Sequence, residues 1–266
     1  MRSTDFFEAH PLFTHEEFVE ARAPRGASTR TSDNLLAKHR AAGRLLRVRR
    51  GLYATVPRGV DPDHAPVDPY LLATKLSPDA VVAYHAALQF HGKAYSVWRR
   101  FHYLTCRRAR RFSFRDMEFV PVQTPLALRA LPDLGGGVVE TRHGGGVVRV
   151  TTLERTLVDV LDAPDKAGGW EEIWRSLEMV EFFDLDAVVE YVLKLDSALT
   201  AARVGFFLEQ HKDVLMIEEQ HLDALRRLAP GQPRYLDSAR EPGRLVSPWN
   251  LVVPQRVLER AWQEVA

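Results

Sequence analysis

The sequence predicts an α+β protein: an N-terminal winged helix-turn-helix followed by a larger α+β region. Three observations carry this. Residues 29–57 read as a helix, a glycine and a basic two-stranded hairpin. A capped helix stands directly upstream, and the charge is segregated along the chain instead of mixed.

In the helix that starts at Thr29, Leu35, Leu36 and Ala42, with His39, fall on one side of a 3.6-residue period. Arg30, Asp33, Asn34, Ala37 and Ala41 fall on the other, with Lys38 at its edge. Gly43 follows, where a helix commonly closes on a left-handed residue. Residues 45–48 and 52–55 are β-prone runs around Arg49-Arg50-Gly51, which suits a tight hairpin. Upstream, Thr14-x-x-Glu17 is a capping box opening a helix to about Arg22, with Phe13 and Phe18 beside it. His39 is expected to pack against that helix, Tyr53 to anchor the wing, and Asp33 to support the helix N-terminus.

The charges match this order of elements. Residues 25–58 hold nine Lys/Arg against one acid, Asp33, a net of +8. A merely solvated face mixes its signs; an excess of one sign on a helix and its hairpin suits the phosphates flanking a DNA groove. Arg30, Asn34 and Lys38 are expected to face a major groove, where Arg pairs with guanine and Asn with adenine. Ala37 or Ala41 would lie against a thymine methyl. Arg40, Arg44, Arg47, Arg49 and Arg50 complete the expected DNA-binding set, the wing arginines at phosphates or in a narrow minor groove.

The chain has 266 residues, long enough for two domains, and a formal net charge of only +1 that hides the segregation. Its single cysteine, Cys106, excludes an intrachain disulfide and a cysteine metal cluster, which fits a reducing cytoplasm. No signal-peptide core and no run of membrane-spanning length occurs, so a cytoplasmic protein with no membrane partner is expected. Residues 58–68, RGVDPDHAPVD, are the expected boundary, dividing a domain at 1–60 from one at 66–266. A fragment from about residue 66 is therefore expected to hold an independent core.

Beyond that boundary residues 69–76 and 78–91 read as helices, the second capped by Ser77. Residues 98–106 and 117–122 read as strands, 134–146 as a flexible loop or hairpin, and 147–151 as a strand. Helices follow at 153–161, 169–180, 186–193, 199–211 and 218–228. A Pro/Gly-rich stretch at 230–248, a short strand and a helix at 255–265 close the chain.

A second basic cluster, residues 93–115, carries eight Lys/Arg and no acid, interleaved with Tyr95, Trp98, Phe101, Tyr103, Phe112 and Phe114. Arg99, Arg100, Arg107, Arg108, Arg110 and Arg111 mark it as a candidate second basic surface. Two readings stand: a nucleic-acid surface using cations and stacking, or a half-buried sheet whose arginine stems rest on apolar neighbours. Residues 154–223 balance it with seventeen acids against six bases. Those acids read either as the solvated faces of helices or as a surface resembling nucleic acid.

The segments AYHAALQFHG (83–92), FHYLT and VTTLERTLVDVLDAPDKAGGW (150–170), with RVRRGLYA (47–54) in the wing, are similar to the abortive-infection AbiEi-type antitoxin family. The likeness runs in order from about Phe13 to His211; the Arg-rich stretch 107–111 and the C-terminal tail depart from it. The resemblance implies a type IV toxin–antitoxin system of phage defence. In it, the winged helix represses its own promoter by binding inverted repeats in double-stranded DNA. The second domain would neutralise a nucleotidyltransferase toxin encoded beside it, without direct contact being required.

Enzymatic readings are weaker. Gly168-Gly169 followed by Asp184-Leu185-Asp186 imitates a nucleotidyltransferase signature, but Asp184 also makes a plain helix cap and no third carboxylate is evident. Glu154, Arg155 and Asp159 can be a charged group or a helix start with an i,i+4 pair. No Glu-x-Lys nuclease element and no zinc spacing occurs. The chain is expected to be a repressor and antitoxin, not an enzyme, with no cofactor and no metal. The competing reading is a winged-helix regulator whose second domain senses a ligand or a protein.

Overall fold

The structure is a computed structural model, and it describes residues 3–25 and 28–262. The N-terminal module runs α1 (Ser3–Ala9), β1 (Leu12–Thr14), α2 (His15–Arg22), α3 (Thr29–Ala41), β2 (Leu45–Arg49) and β3 (Leu52–Thr55), with a 3-10 turn at Ala23–Arg25. The three strands form an antiparallel sheet in the order β1-β3-β2. The capping box closes as the sequence implies: the Glu17 amide donates to Thr14 Oγ1 at 3.2 Å and the Thr14 amide to Glu17 Oε2 at 2.7 Å. Gly43 and Gly51 take φ values of +67° and +76°, ending α3 and turning the hairpin where a Cβ would be strained.

The sequence reading treats the first residues as a polar-aromatic lead; they form α1. Seven residues cannot hold a helix alone. Ring packing holds this one: Phe6 meets Phe13 edge-on at 5.0 Å and Phe7 stacks on Phe18 at 5.5 Å. These four rings with Leu36 and Leu45 form the module's core.

A turn and a 3-10 segment at Pro62–His64 lead to α4 (Pro69–Thr74), capped by Asp68 Oδ1 on the Tyr70 and Leu71 amides. Then come β4 (Val81–Val82), α5 (His85–Phe90), β5 (Arg100–Thr105), β6 (Phe112–Phe114), β7 (Met117–Gln123), α6 (Leu126–Arg129), β8 (Val138–His143) and β9 (Gly146–Thr151). Their strands make a mixed sheet in the order β6-β7-β5-β4-β9-β8. The helix expected over 78–91 is shortened to α5. Val81 and Val82 instead pair with Leu104 and Tyr103 of β5, and Val82 also with Val150 of β9. Two β-branched residues close the gap between β5 and β9, and Tyr84, at φ +59°, turns the chain into α5. Residues 134–146 resolve into the β8–β9 hairpin, turning through Gly144-Gly145.

Helices α7 (Leu153–Asp162), α8 (Trp170–Glu178), α9 (Leu185–Leu195), α10 (Ala198–Gln210) and α11 (Glu219–Leu228) pack one side of this sheet around Trp174, Phe206 and Phe207. Strands β10 (Arg234–Tyr235), β11 (Gly243–Val246) and β12 (Leu251–Pro254) form a small sheet in the order β10-β12-β11. The helix expected over 255–265 is α12 (Gln255–Leu258), followed by turns to Trp262; residues 263–265 lie outside the described residues.

The boundary at 58–68 is a change of topology, but the apolar core crosses it. Leu12, Val48, Leu52 and Ala54 of the winged module share one buried cluster with Leu71, Leu72, Leu76, Val82, Phe101, Phe119 and Val150. Lys75 pairs with Glu17 across the same seam.

This packing has a measurable consequence for truncation. A fragment comprising 66–266 uncovers Leu71, Leu72 and Leu76, each worth ~1.5–3 kcal/mol of burial. It is expected to bind a hydrophobic dye more strongly and melt at a lower temperature than the full chain. Equal melting in calorimetry would show that the shared cluster is energetically idle.

A second expectation concerns His102, buried in β5 with no partner for Nδ1; burial first, then Lys166 and Arg100, push its pKa down to about 4. Its folded value lies below the unfolded one of about 6.5, so the fold favours the neutral ring. That contribution is complete above pH 6.5 and is lost as pH falls toward 4, up to about 3 kcal/mol. His102→Gln is expected to flatten this part of the stability profile in denaturant titrations between pH 6.5 and 4.

Candidate nucleic-acid interface

Helix α3 divides largely as its periodicity requires: Ser32, Leu36 and His39 are buried and Leu35 half-buried, while Arg30, Asp33, Asn34, Ala37, Lys38, Arg40 and Ala41 are exposed. Ala42, expected on the apolar side, is exposed at the C-cap. Its cap is Ser28, whose Oγ accepts the Thr31 amide at 3.2 Å. Thirteen residues make a cylinder about 20 Å long, a size that a major groove admits.

Two contacts set the pitch of this helix. His15 Nε2 meets Asp33 Oδ1 at 2.7 Å, tying the start of α2 to α3. Asp33 therefore links two helices, where the sequence reading places it only as support for its own N-terminus. His39 lies edge-on to Phe7 at 4.8 Å, so it packs on α1, a helix that the sequence reading does not foresee. Burial, then Arg44 and Lys38, hold its pKa below the usual histidine value, which keeps the ring neutral inside an aromatic core.

In the wing, Leu45, Val48, Leu52 and Ala54 turn inward, and Arg47 and Arg50 are exposed. Tyr53 is half-buried and stacks on Phe13 at 5.8 Å. The β2–β3 register shifts between Arg47 and Arg49, a bulge that re-aims a side chain. Arg49 is the residue re-aimed. Its Nη2 donates to the Leu76 carbonyl at 3.0 Å, and its guanidinium lies over the Phe112 ring at 5.7 Å. Expected at a phosphate, Arg49 instead ties the wing to the second region. Arg30, Lys38, Arg40, Arg44, Arg47, Arg50 and Arg58 are exposed and have no ion-pair partner among the described residues.

The second basic cluster is divided by its folding. Arg99 pairs with Asp116 at 3.1 Å, and Arg100 and Arg111 share Glu118 at 2.7 and 3.5 Å. Arg107, Arg108 and Arg110 are exposed and without an ion-pair partner among the described residues. The interleaved rings are divided: Phe101 and Tyr103 are buried, Trp98, Phe112 and Phe114 are half-buried with Trp98 stacked on His85 at 4.1 Å, and Tyr95 is exposed with the Arg175 guanidinium over it at 4.7 Å. Phe101 and Tyr103 are thus withdrawn from stacking with a nucleic-acid base, and Trp98 and Tyr95 already carry a partner on one face.

The motif around Glu154 is also absorbed by the fold. Arg155 is 1% exposed and donates Nη1 to the Leu134 and Gly136 carbonyls at 3.1 and 2.6 Å. Asp159 accepts from Tyr191 Oη at 2.8 Å, and burial pushes its carboxyl up to about 6. Asp184 caps α9 through the Ala187 amide, and Asp186 meets His221 Nε2 at 3.2 Å. Among the described residues no group of three His, Cys, Asp or Glu is arranged to hold a metal ion. No described helix is long and apolar enough to cross a membrane.

Residues 1–56 match the family described as "Transcriptional regulator, AbiEi antitoxin". The N-terminal module is similar to that family of antitoxin regulators. The match ends one residue after β3, so it covers the helices and the wing together. No curated protein matches the chain. Among solved structures, that of the RV2827C protein from Mycobacterium tuberculosis aligns over 95% of this chain and 89% of its own, with a TM-score of 0.59 and 18% identity. At that identity the likeness is one of fold, and it extends through both regions of the chain.

The geometry separates two kinds of contact. Arg30→Ala and Asn34→Ala are expected to relax sequence preference by ~1–3 kcal/mol for each bidentate pairing with a base that they remove. Arg47→Ala and Arg50→Ala are expected to weaken all duplexes together and reduce the salt slope by about 0.9 for each phosphate contact. Anisotropy titrations over a salt series, with operator and scrambled duplexes, measure both. Identical losses on the two duplexes for all four variants would remove the distinction between helix and wing.

Proposed function

We propose that this chain is a repressor and antitoxin: it binds inverted repeats in double-stranded DNA at its own promoter and neutralises a nucleotidyltransferase toxin. The observation that carries the reading is the exposed row of unpaired cations on α3 and the wing, in a module matching the AbiEi antitoxin-regulator family. The buried half of α3 is fixed by Phe7 and by the His15–Asp33 contact, so the exposed half is presented rigidly. Neutralisation is assigned to the second region, by the resemblance of the segments at 83–92 and 150–170. The role is a non-enzymatic one in the cytoplasm, and stable toxin binding is not part of it.

The seam between the two regions governs how this is tested. Because truncation at residue 66 breaks a shared core, point variants of the full chain are the sound instrument. The double variant Arg30→Ala/Asn34→Ala is expected to lose promoter preference yet still restore growth to cells expressing the cognate toxin. Growth curves at matched protein levels check this. Loss of rescue by a folded double variant would mean that neutralisation needs the recognition helix. Incubation with Mg²⁺ and nucleic acid is expected to leave the substrates unchanged; a nucleotide-transfer or cleavage product would make the chain an enzyme.

A further inference from the structure

The two basic clusters, far apart in sequence, meet in space. Arg49 at the wing tip donates to the Leu76 carbonyl. The next residue, Ser77, bonds Thr105 Oγ1 at 3.1 Å, two residues before Arg107. The same guanidinium covers Phe112, adjacent to Arg111. The wing tip thus meets the C-terminal end of the loop 106–111 directly, at Phe112, and its N-terminal end through Leu76 and Ser77. Arg50, Arg107, Arg108 and Arg110 are all exposed around this junction and have no ion-pair partner among the described residues.

The loop is also held in shape. Asp79 accepts from Thr105 Oγ1 at 2.6 Å and from the Cys106 amide at 2.7 Å. Thr105 Oγ1 accepts the Arg107 amide at 3.1 Å, and Gln123 Nε2 donates to the Arg107 carbonyl at 2.9 Å. A braced backbone with free guanidinium heads is a preorganised phosphate-binding edge. The nearby carboxylates are already engaged: Asp79 with this backbone, Glu118 with Arg100 and Arg111.

We propose that the wing and the loop 106–111 form one basic strip, and that Arg107, Arg108 and Arg110 grip the phosphates of duplex DNA flanking the operator. The second region thereby lengthens the footprint beyond what a winged helix alone covers. The inference rests on the DNA-binding reading above. Duplex is favoured over single-stranded RNA because the rings beside the loop are already engaged: Phe112 and Phe114 are half-buried against the core, with Arg49 over Phe112 at 5.7 Å and Arg115 over Phe114 at 5.0 Å, so neither offers a free platform to an unpaired base. It is favoured also because the strip continues the wing, which lies along a duplex whenever α3 enters its groove.

The test uses the full chain and its variant Arg107→Ala/Arg108→Ala/Arg110→Ala, all three at exposed positions. Operator duplexes with flanks of about 10 base pairs, one helical turn, are compared with trimmed ones over a salt series, with hydroxyl-radical footprinting. Wild type is expected to bind the flanked duplex more tightly and to protect part of the flank. The triple variant is expected to lose that advantage and that protection, with a salt slope reduced by up to about 3, while its preference for operator over scrambled core stays the same.

A wild type indifferent to flanks, or a triple variant with unchanged slope and footprint, overturns the strip and leaves the operator reading standing. A wild type with no operator preference at any salt overturns both. A triple variant that keeps its DNA footprint but loses affinity for a structured RNA makes the loop an RNA site and overturns the proposal.

Discussion

The orientation of the winged module depends on one buried seam, where Leu12, Val48, Leu52 and Ala54 lie against Leu71, Leu72 and Leu76. Apolar burial is non-directional, so by itself it holds the two regions together without fixing their angle. Direction comes from the polar contacts at its rim. Arg49 reaches the Leu76 carbonyl, Lys75 reaches Glu17, and Arg115 Nη1 reaches the Ala65 carbonyl at 2.7 Å. The hairpin tip is therefore clamped from behind. The wing gives up one exposed arginine to this clamp and is in turn held in register with the sheet of the second region.

That clamp changes how the charge map acts. Two segments of net +8, separated in sequence by the boundary, α4, β4 and α5, become neighbours once the wing docks. Exposed cations are worth little pairwise in water but act together on a polyanion, where each neutralised phosphate releases counterions. The fold removes some of them from that role. Arg99, Arg100 and Arg111 face acids just beyond the basic run, at Asp116 and Glu118, so the working charge is smaller than the composition implies.

In the second region the charged residues that carry the family likeness are structural. Arg155 is sunk beneath the strand-preceding loop, satisfying the Leu134 and Gly136 carbonyls, with its guanidinium over Tyr191 at 4.9 Å. A glycine at 137 is required by this arrangement, since a Cβ there would sit 2.8 Å from Arg155 Cβ. Burying an ion pair in this way is costly unless its remaining donors are bonded. The two carbonyls and the Tyr191 hydroxyl supply part of that bonding, while Arg155 Nε and Asp159 Oδ2 face each other at 3.5 Å without a hydrogen bond, so a motif that looks chemical is occupied holding a loop to a helix.

The sequence by itself determined the local devices: the capping box at Thr14, the two-faced helix from Thr29, the glycines that end it and turn the wing, and the outward row Arg30, Asn34, Lys38. Each depends on residue spacing within one element, so a period of 3.6 or a positive φ is legible without neighbours. Tertiary structure alone decided what has a distant partner. Ser3–Ala9 became a helix because Phe6 and Phe7 found Phe13 and Phe18. Val81-Val82 became a strand because β5 and β9 left a gap for it. Arg49 turned from solvent to the Leu76 carbonyl through a bulge that no pattern of charges encodes. The direction of a long side chain is set by which acceptor the fold brings within reach, and that acceptor lies 27 residues away along the chain.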